Sequence, residues 1–100
     1  MKELQELEAN YNEITDLMFM TELPKIEQVD LEHNKVSHIP SLELEYLENI
    51  LLCHNEISDL SLFAESFLPR LISLDIANNK VKEIPILKFE ELKDLDLSQN

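Results

Sequence analysis

An asparagine recurs along this chain at positions 12, 34, 55, 79 and 100, at spacings of 22, 21, 24 and 21 residues. Each closes the same phrase, apolar-x-x-apolar-x-apolar-x-x-Asn, written as LQELEANYN, IEQVDLEHN, LENILLCHN, LISLDIANN and LKDLDLSQN. A period of this length means supersecondary units stacked in a line, because a unit so short cannot bury its own apolar face and must cover it with its neighbours. That one feature rules out most ways of folding a chain of 100 residues.

The pattern extends on both sides of the phrase. Two residues after the Asn stands Ile14, Val36, Ile57 or Val81, and three further on Leu17, Ile39, Leu60 or Ile84. In the three central repeats Leu23, Leu44 and Leu68 precede the phrase by three, while Leu42, Phe63 and Leu87 follow the Asn by eight. All seven apolar slots are therefore filled in each, in a chain that is 44% apolar. A longer similarity aligns residues 23–47 with 68–92 at an offset of 45, with 11 of 25 positions identical, so the array looks like a duplicated pair of repeats.

Each slot has a physical reading. In VDL, LDI and LDL two apolar residues flank a polar one, a period of two that marks a short strand with one buried face. Such strands recur more than a dozen residues apart, as a parallel sheet requires. They are expected near residues 6–9, 28–31, 49–52, 73–76 and 94–97, with their aliphatic pairs buried. The Asn that follows can donate and accept at once, so it can tie backbone groups of adjacent turns into a ladder. The chain has no Gly, and Asn tolerates unusual backbone angles, so the phrase-closing Asn is the expected turn residue.

These phrases resemble the leucine-rich repeat superfamily. The roughly 22-residue period and the Asn-x-Ile-x-x-Ile continuation are most similar to the subclass seen in a protein phosphatase-1 regulatory subunit, an axonemal dynein light chain, a spliceosomal protein and the acidic nuclear phosphoproteins. The resemblance implies an α/β solenoid: a right-handed coil with a short parallel concave sheet and an irregular or briefly helical convex side. It implies a protein-binding role and, by subclass analogy alone, a phosphatase regulatory one. One array is expected over 1–100, with repeats near 4–25, 26–46, 47–70 and 71–91 and a partial one at 92–100.

Some positions depart from the pattern. Ala9 stands where a large aliphatic is usual, so the first strand should be weakly anchored. SLFAESFLPR lengthens the third connection and is expected to form a short helix from a Ser61 cap to before Pro69. Met18, Phe19 and Met20 are expected to pack on the convex side. With no polar cap visible at either end, the chain reads as a fragment, either a monomer or part of a longer solenoid.

Charge narrows the partners. Eight basic residues face 21 acidic ones, a formal net charge of −13. Nucleic acid and anionic membrane surfaces are disfavoured, and a basic protein is the natural partner. A single cysteine, Cys53, excludes an internal disulfide. The first residues, MKELQELEANYN, have no apolar core like that of a signal peptide, and no apolar run is long enough to span a bilayer. An intracellular protein, cytoplasmic or nuclear, is expected.

The candidate site follows from the strand geometry. Counting from the first apolar residue of each phrase, the third, fifth and seventh positions should face outward on the concave sheet. They read Glu6, Gln28, Asn49, Ser73, Asp94, then Glu8, Asp30, Leu51, Asp75, Asp96, then Asn10, Glu32, Cys53, Ala77, Ser98. Seven of these 15 are acidic and none is basic. Leu51, Cys53 and Ala77 make a less polar centre, the usual anatomy of a binding hot spot. The partner-binding residues are expected to be Glu6, Glu8, Asp30, Glu32, Leu51, Cys53, Asp75, Asp94 and Asp96. Reversal of Asp30, Asp75 and Asp96 to Lys should spare the fold, since they point away from the core. The plainer alternative is that an acidic chain puts acids on every wet surface and this segment only extends a solenoid that binds elsewhere.

Nothing points to catalysis. No nucleophile elbow, Gly-rich phosphate loop or HExxH occurs, and acids on a flat wet sheet have nothing to separate their pKa values. No catalytic residue, cofactor or metal is expected. Glu32-His33 and Cys53-His54 do bring zinc-type residues to equivalent places in adjacent repeats. The eighth column is variable, however, and successive residues point in different directions.

Overall fold

The computed structural model describes residues 2–100. Five short strands, β1 (Glu6–Glu8), β2 (Gln28–Asp30), β3 (Asn49–Leu51), β4 (Ser73–Asp75) and β5 (Asp94–Asp96), form one sheet in sequence order. All neighbours pair parallel, in a register that places equivalent repeat positions side by side, so Glu8, Asp30, Leu51, Asp75 and Asp96 form one row. This is the expected solenoid, with extents of 35 × 31 × 20 Å.

Burial follows the phrase in the three central repeats. Val29 and Leu31, Ile50 and Leu52, and Leu74 and Ile76 are all buried. They meet Ile39, Leu42, Leu60 and Phe63 from the return path in a single core. At the flanks the same slots are less covered: Leu7, Ala9 and Leu97 are only half-buried, and Leu95 is exposed.

The convex side carries less helix than expected. A 3₁₀ turn at Met18–Glu22 buries Met20, while Phe19 is half-buried and Met18 lies exposed, so of the three only Met20 is a core residue. In the long third connection the helical piece is just Phe63–Glu65, and Ser61 does not cap it. Asp59 instead accepts the Ser61 N–H at 2.8 Å, which lowers the Asp59 pKa, and Leu42 N–H donates to Ser66 Oγ at 2.8 Å. The first bond is local and the second ties the segment to the preceding repeat, and the helical piece stays short between them.

The asparagines form the ladder their chemistry allows. Asn55 Nδ2 donates to the carbonyls of Leu31, Leu52 and Cys53, and Asn55 Oδ1 accepts the Val36 N–H at 3.0 Å. Asn34, Asn79 and Asn100 repeat this set, each joining its own turn to the preceding repeat. Asn34, Asn55 and Asn79 are buried, and each is bonded at both ends of its amide.

The turn residue is not the one expected. The left-handed backbone falls one position before the Asn, at Tyr11, His33, His54, Asn78 and Gln99, with φ between 57° and 59°. The ninth residue is thereby freed to aim its amide inward, while the eighth turns the chain out of the strand. Left-handed geometry in a non-Gly residue is least unfavourable for Asn, Asp and His. Three of the five eighth-column residues fit that preference.

Candidate functional site on the sheet

The outward columns form a face graded from centre to edge. Glu6, Glu8, Asp94 and Asp96 are exposed, but Asp30, Glu32, Leu51, Cys53 and Asp75 are half-buried, and Ala77 is buried at 5% exposure. The expectation of uniformly exposed columns therefore fails in the middle. Each central strand has a neighbour on both sides, so its outward side chains shield one another, and Ala77 is too short to emerge.

The fifth-column aspartates have a backbone task that the sequence reading overlooked. Asp30 Oδ1 accepts the Glu32 N–H at 3.1 Å, Asp75 Oδ1 the Ala77 N–H at 3.0 Å, and Asp96 Oδ1 the Ser98 N–H at 3.0 Å. Asp96 also accepts from Ser98 Oγ at 2.7 Å, and these bonds from Ser98 hold its carboxyl below the usual range. Reversal to Lys would remove an acceptor as well as a charge. The signal was available, since Asp and Asn bond readily to the N–H two residues on. In this column Leu51 has no side-chain acceptor, and no such bond forms at Glu8.

Two shallow hollows lie on the face, one on either side of Leu51. The first, about 260 Å³, is lined by Glu6, Glu8, Gln28, Asp30 and Leu51 over the strand positions Leu7 and Val29, whose side chains face the core. The second, about 400 Å³, has Asp75, Asp94 and Asp96 around it, over the strand positions Leu74, whose side chain is in the core, and Leu95. Leu51 lines both and stands as the ridge between them. In the fifth column the acids Glu8 and Asp30 thus lie on one side of Leu51 and Asp75 and Asp96 on the other.

Beside this ridge Glu32, Cys53 and Asp75 bring ligand-type atoms within 4.8 Å of one another. The Cys53 thiol donates to Glu32 Oε2. Burial first, then that bond and the charges of Glu32, Asp75 and Asp30, push the Cys53 pKa up to about 12. A thiol held in this form is a poor nucleophile and a poor soft-metal ligand, because both roles need the thiolate. The four residues considered together for zinc do not converge: His33 and His54 turn away with the eighth column. They stack on each other at 4.3 Å between ring centres, and His33 stacks on Tyr11 at 4.4 Å. Parallel imidazoles aim their lone pairs side by side, not toward one point, so the pair cannot chelate a single ion between them.

No helix among the described residues is long and apolar enough to cross a membrane. A family model for leucine rich repeats (2 copies) matches residues 47–88, which span the third phrase, the long connection and the fourth phrase. Repeats of this kind generally mediate protein–protein interaction, and the coil is typically a scaffold rather than an enzyme. The five-stranded parallel coil and the buried Asn ladder are those of a leucine-rich repeat coil, and on the third and fourth phrases they coincide with the family match at residues 47–88.

Proposed function

We propose that this chain is an interaction module that binds a basic protein partner on the concave sheet through Glu6, Glu8, Asp30, Glu32, Asp75, Asp94 and Asp96, with Leu51 and Cys53 at the centre. The observation that carries this reading is the sign of the face: seven acids and no base in 15 outward positions, gathered around a half-buried leucine. Like charges on neighbouring strands are destabilising. Glu8, Asp30, Asp75 and Asp96 nevertheless share one row of the sheet.

A second reading has its own support. Asp30, Asp75 and Asp96 all bond the N–H two residues on, so these acids are also explained by the backbone, in a segment whose binding surface lies on other repeats. The acceptor oxygen is what the backbone needs, whereas the charge is what a basic partner needs. The substitution D30N/D75N/D96N separates the two, because an Asn amide oxygen keeps the acceptor and loses the charge. The test uses wild type and this triple variant as baits for partner capture and then titrates what is recovered. Under the binding reading the triple variant loses capture while its fold is retained, and wild-type affinity falls with salt as exposed charges are screened. Equal recovery and equal affinity by both proteins would instead favour the structural-segment reading.

A further inference from the structure

We infer that the open edge of β1 takes up an extended segment of a partner protein in which apolar and basic residues alternate. Its apolar side chains enter a hollow on the core side of β1, and its basic ones stand beside Glu6 and Glu8. The site is the first edge of the sheet, away from the centre of the concave face, and the inference does not rest on binding there.

The edge offers backbone groups to a strand. Toward β1, the neighbouring repeat presents the N–H groups of Glu27 and Gln28, which both donate to the Gln5 carbonyl, and the carbonyls of Asp30 and Glu32, which accept from Ala9 and Tyr11. The register matches these to the N–H groups of Gln5 and Glu6 and the carbonyls of Glu8 and Asn10. Those groups point to the other side of β1, where no strand stands among the described residues. The Asn ladder is open there as well. Asn12 donates to carbonyls of its own turn, at Ala9 and Asn10, whereas Asn34 also accepts an N–H from the preceding repeat. An extended segment satisfies such an edge by adding a strand to it.

A hollow of about 570 Å³ lies at the same edge, lined by Leu4, Leu7, Ala9, Ile14, Phe19 and Leu23. Leu4, Leu7, Ala9 and Ile14 are half-buried, while their counterparts one repeat on, Ile26, Val29, Leu31 and Val36, are buried with a repeat on either side. The Leu7 and Ala9 side chains pack against the core, so alternate residues of an added strand face the core side too. Those residues have to be apolar to cover this lining. Ala9, small where its counterpart is Leu31, leaves room for a large one. A free apolar ligand would fill the hollow but leave the strand edge unpaired.

The residues between them stand on the other face, beside Glu6 and Glu8, which are both exposed. Neighbouring strands lie about 4.8 Å apart, so the sign of the charge opposite those acids matters. Glu8 already has Asp30 beside it on β2. Another acid on the open side adds repulsion, whereas Lys or Arg relieves it. The charged residues that line the hollow, Lys2 and Glu22, are of opposite sign and leave this preference standing. A second copy of the chain is the poorer occupant, because its own terminal strand β5 presents Asp94 and Asp96.

The test titrates the 100-residue chain with labelled, end-blocked peptides of about eight residues, long enough to span Gln5 to Asn10. One alternates Lys with Leu and Val. The controls carry the same residues in two blocks, the same sequence N-methylated at the N–H groups that would bond β1, and Glu in place of Lys. The alternating Lys peptide is expected to bind at least about tenfold tighter than each control, and to protect the Gln5 and Glu6 amides from hydrogen exchange. Replacing Glu6 and Glu8 by Gln should weaken it about fivefold. D75N/D96N should leave it within about twofold, because those acids lie three and four strands away, beyond the screening length of about 8 Å. Circular dichroism verifies that both variants are folded, and the exchange measurement on wild type stands without them. Equal binding of the N-methylated or the Glu peptide, protection confined to other strands, or no binding overturns the inference. Equal loss in D75N/D96N and in the Glu6, Glu8 variant also overturns it, and assigns the peptide to the concave face instead, so the two readings fail separately.

Discussion

Ile39 and Ile84 occupy the same place in two copies of one module, 45 residues apart, within a stretch where 11 of 25 residues are identical. Ile39 is 0% exposed and Ile84 is 54% exposed. The difference lies in what stands beside them. His38 bridges to Asp59 of the next repeat, whose Leu60 closes over the same core, whereas the repeat after Ile84 is described only to Asn100, short of the position that corresponds to Leu60. Leu44 and Phe89, another matched pair, differ in the same direction, at 3% and 9%. In a solenoid, burial belongs to the neighbour as much as to the residue, so one sequence slot has different energetic worth at different places in the array.

The largest test of this comparison uses the ladder. Asn55→Ala removes four bonds at a buried position and leaves the Val36 N–H without its acceptor, while the Leu31, Leu52 and Cys53 carbonyls each keep one other donor, a loss of about 3 kcal/mol. Asn100→Ala acts at an exposed position where water replaces most of the lost partners, and should cost about 1 kcal/mol. Chemical denaturation of both variants measures the gap, and equal losses would show that the ladder's strength is independent of its neighbours.

The isoleucines themselves come next. Ile39→Ala empties a fully covered slot and should destabilise by about 3 kcal/mol, whereas Ile84→Ala should stay within about 1 kcal/mol. Similar midpoint shifts in urea would break the equivalence between coverage and energy.

The same contrast of centre and edge runs across the acidic face, and there it is chemical. Cys53, at the centre, is pushed up to about 12 by burial and by Glu32, Asp75 and Asp30. Alkylation near neutral pH should therefore be slow, and Glu32→Gln should speed it roughly five- to tenfold by lowering the thiol pKa. An unchanged rate would remove Glu32 as a cause. Asp96, at the edge, is lowered from 3.8 by its own bonds to Ser98. Its folded pKa lies below its unfolded value, so its contribution is present above about pH 4 and fades as pH falls through the folded pKa. Full exposure makes this the smallest effect, visible as a slightly flatter acid-unfolding profile in Asp96→Asn.

Much of this architecture could be read from the residues. The phrase ending at each Asn located all five strands to within a residue, because a period of two inside a period near 22 admits few arrangements. The ladder was legible because only an amide both donates and accepts at such a site. The left-handed position was not: a column reading Tyr, His, His, Asn, Gln carries no glycine, and the eye falls on the invariant Asn beside it. The helix expected after Ser61 is cut short where Asp59 takes the Ser61 N–H and Ser66 takes the Leu42 N–H of the preceding repeat, bonds that apolar spacing does not express. At the candidate site the acidity of the face was plain in the outward columns. Its two hollows were not, since they depend on how outward side chains of neighbouring strands stand beside one another. The half-burial of Asp30 and Asp75 also depends on crowding between strands that no single phrase contains.

The aspartate that bonds its own backbone two residues on has a consequence for how such a chain can diverge. Where the fifth column carries Asp30, Asp75 or Asp96, the turn uses a short acceptor and is indifferent to charge, so Asp and Asn are nearly interchangeable at those three positions. A single-nucleotide change between Asp and Asn codons alters the surface by one charge and leaves the turn intact. Descendants of this sequence could thus drift from an acidic face to a neutral one in small steps, acquiring or losing basic partners without passing through an unfolded ancestor.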